Sequence, residues 1–375
     1  MRFWLRLIRE LERSKDMTSR QRICLALAFL GALHASVLFG SFLAPYDAEA
    51  QNRQFPFTPP TRPHFVDTRG RFHLRPFIYA CAPSSVLAEP CVEDRGRPFP
   101  LRFFVRESSA GLEVERASLG GQGAELRMGE SKRGRWRLLG VDQPARIFLL
   151  GTDGFGRDQF SRLLHGGQIS LFAGMLAAGL ALGFGLMLGA VAGFYGGWVD
   201  GLIMRSAELF LALPWLYLLF AVRAFLPLHL SVIQSFLLLI AVMGLVGWAR
   251  PARLIRGVVL SARERDYVTA ARGFGASDMY LLRRHVLPQA FGVVMTQAGI
   301  LIPQFILAEV ALSFLGLGVA EPTPSLGNLL AELQQYHVLA SYWWMFLPGV
   351  ALIPVFAGYY ALTNALQERA GVVPT

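Results

Sequence analysis

Lysine is almost missing from this chain. Of its 36 basic residues only Lys15 and Lys132 are lysines, and the other 34 are arginines. That skew reflects codon usage in a GC-rich genome and is given no chemical weight. One consequence is chemical all the same: neither lysine follows a glycine, so the phosphate-cradling GxxxxGK[ST] loop cannot be built. G-x-S-x-G, H-E-x-x-H and C-x-x-C are also missing. Three cysteines are too few for a disulfide scaffold, and the seven histidines are scattered with no ligand spacing. Charged residues make up 17%, where about 25% is usual. These gaps exclude a P-loop ATPase, the common hydrolases, a thiol oxidoreductase and a metal site.

What the chain has is apolar surface. Of 375 residues, 53% are hydrophobic, and the mean hydropathy is +0.41. A crossing helix needs about 20 mostly apolar residues, and six stretches qualify: 23–44, 169–193, 202–222, 231–249, 293–316 and 344–362. The expected fold is therefore an all-α polytopic membrane protein with six transmembrane helices. The first stretch follows a basic terminus as a signal peptide would. Pro45 directly follows Ala44 with no A-x-A cleavage site, so it reads as a retained anchor.

Basic residues set the orientation. Residues 1–22 carry seven Lys or Arg against three acids, and 250–288 carries eight Arg against three acids. The loop 320–343 holds Glu321 and Glu332 but no Lys or Arg. Six crossings place both basic segments and the C-terminal tail, 366–375, in the cytoplasm. The net charge of +10 is thus topological and no footprint of nucleic acid. The bilayer is the expected partner, and the inner membrane the expected location.

The long segment 45–168 then faces outward. Phe55-Pro56-Phe57-Thr58-Pro59-Pro60 reads as an extended linker. Alternation over 101–106 and short apolar runs over 136–150 read as strands, giving a small β-rich domain over 62–147. Cys81 and Cys91 fall in it as disulfide candidates, on the oxidising side if that outer face is a periplasm. The spacing of His64, His73 and these cysteines fits no metal pattern. Residues 169–365 form the remaining five-helix core.

Inside the spans, glycines repeat every four residues at Gly179/Gly183 and at Gly185/Gly189/Gly193, a pattern for close helix contact within the subunit or with a partner. Glu309 is an acid within the fifth span and a candidate for the pathway or the subunit interface. Arg205 and Glu208 are spaced to pair, and Arg157 and Asp158 to brace the start of the second span.

The segment 250–288 carries the most information. Arg250, Arg253 and Arg256 share a helix face suited to an anionic inner surface. Tyr267, Ala270 and Ala271 form a compact face on the next helix. Gly275 permits a sharp turn, Ala276-Ser277-Asp278 offers N-caps, and Pro288 punctuates the following helix. The result is a hairpin outside the membrane, shaped to dock into a groove.

Ala270-Ala271, Gly275 and Leu287-Pro288 are spaced as in the "EAA" loop of permease subunits of binding-protein-dependent ABC importers, and the chain resembles that family. Arg263-Glu264-Arg265-Asp266-Tyr267-Val268 and Arg284-His285-Val286-Leu287-Pro288 look like its dipeptide/oligopeptide/nickel branch, C-type subunit. Gly151 to Asp158, Tyr195 to Asp200, Ala212-Leu213-Pro214, Ser313 to Gly318 and Pro324 to Gly327 agree, in the same order. Two departures stand out: Thr269 occupies the position of the eponymous glutamate, and the outer segment before Gly151 is unusually long.

The resemblance implies a type I permease forming half of a pathway for peptides or a similar solute. It implies a second, B-type permease, two ABC ATPase subunits and a periplasmic solute-binding protein as partners. Tyr267, Ala270, Ala271, Gly275, Ala276, Ser277, Asp278, Leu287 and Pro288 would then couple the chain to an ATPase. No cofactor would be bound by this chain, which would be no enzyme, and the partners would hydrolyse ATP. The alternative is an ion-driven secondary transporter or channel, which would need paired carboxylates or broken helices in inverted repeats. An outer binding or signalling domain anchored by its spans is a third reading.

Overall fold

The computed structural model describes residues 18–83, 91–106, 136–224 and 231–369. Of the expected tails, residues 1–17 and 370–375 lie outside the described residues, and 366–369 continue the last helix. Two compact units emerge among the described residues. One holds 18–35, 166–339 and 346–369, and the other 36–165 and 340–345.

The first unit is helical. Among the described residues, four helices are long and apolar enough to cross a membrane: α1 (Ser19–Leu38), α3 (Gln159–Tyr195), α9 (Asp278–Phe314) and the stretch Trp343–Arg369, which ends in α11 (Leu347–Arg369). A short α2 (Gly40–Leu43) follows α1. α3 has 37 residues, about 55 Å at 1.5 Å per residue, well beyond the roughly 30 Å hydrocarbon core.

Two expected spans are broken. The stretch 202–222 divides into α4 (Gly197–Ala212) and α5 (Trp215–Ala224). Leu213 sits at φ −88° and ψ 139°, because the residue before a proline, here Pro214, is pushed out of the helical region. The fourth is α6 (Val232–Gly247), opened by a Ser231/Gln234 capping box and followed after a 44° bend by α7 (Ala249–Arg263). Arg205 and Glu208 do not pair; both are exposed on α4.

Pro288 does not end a helix either. Five residues, Leu282–Val286, widen into a π turn just before Leu287-Pro288, and α9 runs through. A wider turn spares the bond that the missing proline N–H cannot make. The core between α3, α5, α6 and α9 is built on Leu219, Leu239, Met243, Phe305 and Leu312, each at most 3% exposed.

Among its described residues the second unit contains five strands: β1 (His64–Val66), β2 (Phe72–Pro83), β3 (Cys91–Pro100), β4 (Arg102–Arg106) and β5 (Trp136–Gly140). β1-β2-β3 form one antiparallel sheet and β4-β5 a separate two-stranded ribbon. Cys81 and Cys91 are joined by a disulfide across β2 and β3. His64 instead meets Glu93, and His73 meets Asp67.

Phe55–Pro60 is no linker. Thr58 donates its N–H to the Thr152 hydroxyl at 2.7 Å, Thr152 N–H returns to the Thr58 carbonyl at 2.9 Å, and Phe57 N–H reaches the Asp153 carbonyl. The proline-rich stretch is clasped by a loop almost a hundred residues away, a pairing that local composition cannot reveal. Gly156, at φ +69°, lies so close to the Asn52 carbonyl that no Cβ fits there. The ring of Tyr342 stacks on Phe57 at 4.2 Å, and the Trp344 indole donates to the Thr152 carbonyl.

This clasp encloses a buried charge cluster. Asp153 accepts from Arg157 Nε at 2.6 Å and from an Arg162 guanidinium nitrogen at 2.9 Å, and all three side chains are almost fully buried. Asp158 caps the start of α3, accepting from Ser161 N–H at 2.8 Å and from its hydroxyl at 2.6 Å. Complete burial, helped slightly by the Asp153 charge, pushes Asp158 up to about 6 despite those bonds. Its folded value thus exceeds the unfolded one, so its contribution to stability is complete below about 4 and lost as pH rises through 6. Amide protection factors over 151–162 should fall between about pH 4 and 6, and Asp158→Asn should flatten that slope while keeping the cap. An unchanged slope in the variant would place its cause elsewhere.

Candidate functional site

α8 (Asp266–Gly273) and the first turns of α9 form the hairpin that the sequence anticipates. Its bend is a Schellman motif: Ala276 N–H bonds the Ala271 carbonyl at 3.1 Å, and Gly275 N–H bonds the Arg272 carbonyl at 3.0 Å. Gly275 occupies the left-handed position, φ +85°. Ala271 and Ala276, the apolar pair that accompanies this motif, pack into one cluster with Val259, Val268 and Leu281. Each small residue at the bend therefore has a backbone reason. Ser277 caps the next helix by accepting from Tyr280 N–H at 3.4 Å, and Asp278 stands 3.6 Å from Arg272.

The hairpin is two-faced. Val268, Leu281, Leu282 and Val286 are buried, and Leu287 is half-buried beside them. Tyr267, Ala270, Gly275, Ser277, Asp278 and Pro288 are exposed. At the tip stands Phe274, 93% exposed. Sequence reasoning missed it, although a lone aromatic between Gly273 and Gly275 was the available signal. Tyr280 is also exposed, and His285 lies between the Tyr267 and Tyr280 rings.

What holds the hairpin is the contact of α3 with α7. Cβ atoms built at Gly185, Gly189 and Gly193 would stand 2.6 Å from Pro251, 2.5 Å from the Ala252 carbonyl oxygen and 2.8 Å from the Arg256 carbonyl oxygen. The backbones touch, as small-residue stripes permit in lipid. Arg263 donates to the Gly193 and Phe194 carbonyls, capping the end of α3, and Arg256 forms a two-pronged ion pair with Asp200 of α4.

Gly179 and Gly183 behave differently. Both are exposed, and a Cβ at either meets nothing within 4 Å. Glu309 parts company with them. It is completely buried within its own unit. Its carboxylate accepts from the Ser313 hydroxyl at 2.7 Å, with the Ser170 and Ser325 hydroxyls beside it. Ser170 in turn accepts from Leu326 N–H at 3.1 Å. The acid thus ties α3, α9 and the start of α10 (Leu326–Ala331) together, a buried carboxyl group held by hydroxyls.

Residues 185–372 match the family model described as binding-protein-dependent transport system inner membrane component. The chain belongs to that family. It is a multi-pass inner-membrane permease subunit of an ATP-driven importer. It is 34% identical over 226 residues to the dipeptide transport system permease protein DppC of Bacillus subtilis strain 168, covering 60% of this chain and 68% of the relative. It is 39% identical over 214 residues to the glutathione transport system permease protein GsiD of Shigella dysenteriae serotype 1, covering 57% and 66%. The hairpin and the Gly185/Gly189/Gly193 stripe lie inside the matched region, and Gly179 and Gly183 lie outside it.

Overpacking a tight contact costs about 1–3 kcal/mol. Gly189→Leu should therefore lower the melting temperature of the detergent-purified chain, and Gly183→Leu should leave it unchanged. Equal effects would remove the distinction between the two stripes.

Proposed function

We propose that this chain forms half of the translocation pathway of an importer for peptides or a similar small solute, beside a second, B-type permease. Two ABC ATPase subunits hydrolyse the ATP, and this chain binds no cofactor and catalyses nothing. A periplasmic solute-binding protein delivers the cargo. Peptide-class cargo is supported by the dipeptide and glutathione transport named for the relatives.

The topology is six crossings with α4–α5 as a third span broken at Leu213-Pro214, and with α6 entering α7 as the fourth. Both termini and 250–288 face the cytoplasm, and 45–168 faces outward with its β-strands, as the positive-inside rule supports. Gly179 and Gly183 offer the second permease a surface where backbones can approach.

The observation that carries the reading is the hairpin itself. Its bend is fixed by two backbone bonds and a left-handed glycine, its inner face is buried against α7, and Phe274 projects from the tip. A rigid element with an exposed aromatic end is what an ATPase groove can grip, and closure of the ATPase pair would then move α7 and α9 together.

An aromatic anchor in a docking pocket is worth about 2 kcal/mol or more, roughly 30-fold in affinity. Phe274→Ala should lower ATP-driven uptake of a labelled dipeptide at least tenfold with membrane levels unchanged. Gly275→Leu, which meets no internal obstacle but strains the bend, should do the same. Normal uptake in both would exclude the hairpin as the coupling element.

A further inference from the structure

The β4–β5 ribbon exposes aromatic surface that the described residues of its unit leave uncovered. Phe103, Phe104 and Trp136 are 53%, 63% and 58% exposed, and nearby Phe39 is 61% exposed. A two-stranded ribbon in water is marginal by itself, and rings so placed need another environment. Phe104 also sits at φ +54°, a conformation that a bulky residue adopts only where its surroundings enforce it.

The position of the ribbon identifies that environment. The Arg137 guanidinium, from β5, donates to the Ala44 carbonyl at 3.2 Å, and the Phe104 ring lies 6.0 Å from Phe42. Phe42 and Ala44 follow the last residue of α1, Leu38, by four and six positions, so they lie within about 10 Å of the end of a membrane span. The ribbon is thus fastened where the apolar helix stops. Arg102 and Arg106 flank the rings and are exposed, Arg102 also pairing with Asp142 at 2.6 Å. Phe and Trp beside Arg at the end of a span is the composition of the bilayer–water boundary, where rings enter the acyl edge and guanidinium groups reach phosphates.

We propose that the β4–β5 ribbon is a membrane-surface element, with Phe39, Phe103, Phe104 and Trp136 buried in the headgroup region of the leaflet that the end of α1 reaches. Lipid is the occupant because the surface continues the lipid-facing end of a span and carries arginines complementary to lipid phosphate. The enlarged segment between the first two spans is then held to the bilayer along its edge and does not project freely from it.

The test uses the assembled transporter in nanodiscs of phosphatidylethanolamine and phosphatidylglycerol. In a Cys24→Ser background, spin labels are placed by Phe104→Cys and by Trp136→Cys, with Thr68→Cys, in the exposed β1–β2 turn, as reference. Accessibility to oxygen is compared with accessibility to a water-soluble nickel chelate. The proposal expects an oxygen-to-nickel ratio several-fold higher at 104 and 136 than at 68. Equal ratios would put the ribbon in water, and low accessibility to both reagents would put it under a second permease; either result overturns it. With native side chains, brominated lipids should quench a share of tryptophan emission that disappears in Trp136→Leu. No change in that share would also overturn the proposal.

Discussion

The close approach of two helix backbones, α3 and α7, underlies the rest of the helical unit. Gly185, Gly189 and Gly193 leave no room for a side chain against Pro251, Ala252 and Arg256. In lipid the hydrophobic effect does little to join helices, so contact distance and polar anchors decide their position. Here the anchors are Arg263 on the end of α3 and Arg256 on Asp200. Once α7 is fixed, Ile255, Val259 and Ala262 present the floor on which Val268, Leu281 and Val286 pack. The hairpin is the last link in that chain of contacts.

Buried polarity marks the other fixed points. Asp153 with Arg157 and Arg162 is a paired cluster, in which removing one partner would strand the rest. Glu309 uses serine hydroxyls instead, joining three segments that are far apart in sequence. Arg157 and Arg162, four and nine residues on, pair the buried Asp153, whereas hydroxyls from separate segments surround Glu309. Such charges make good fasteners, since they accept few other arrangements.

Much of this was legible from the residues. Long apolar runs gave the uninterrupted helices, and Gly275 with Ser277 gave the bend and the cap, because both signals are local. The misreadings share a different cause. Leu213-Pro214 is as apolar as its neighbours, so hydropathy runs across a break that only backbone sterics impose. Pro288 is a helix breaker in the sequence, yet a π turn one residue upstream absorbs it. Phe55–Pro60 resembles a linker because its partner, Thr152-Asp153, is remote. Phe274 was overlooked because the residues around it were read for what they form, not for what they display.

The central claim is that the 267–278 hairpin and the first turn of α9 enter an ATPase subunit. The most direct measurement places p-benzoylphenylalanine at Tyr280, exposed on the first turn of α9, in the assembled transporter, and identifies the photo-adduct by mass spectrometry. The account predicts a covalent adduct between this position and an ATPase subunit. Adducts with lipid or with another part of the membrane assembly, and none with an ATPase in an actively transporting preparation, would contradict it.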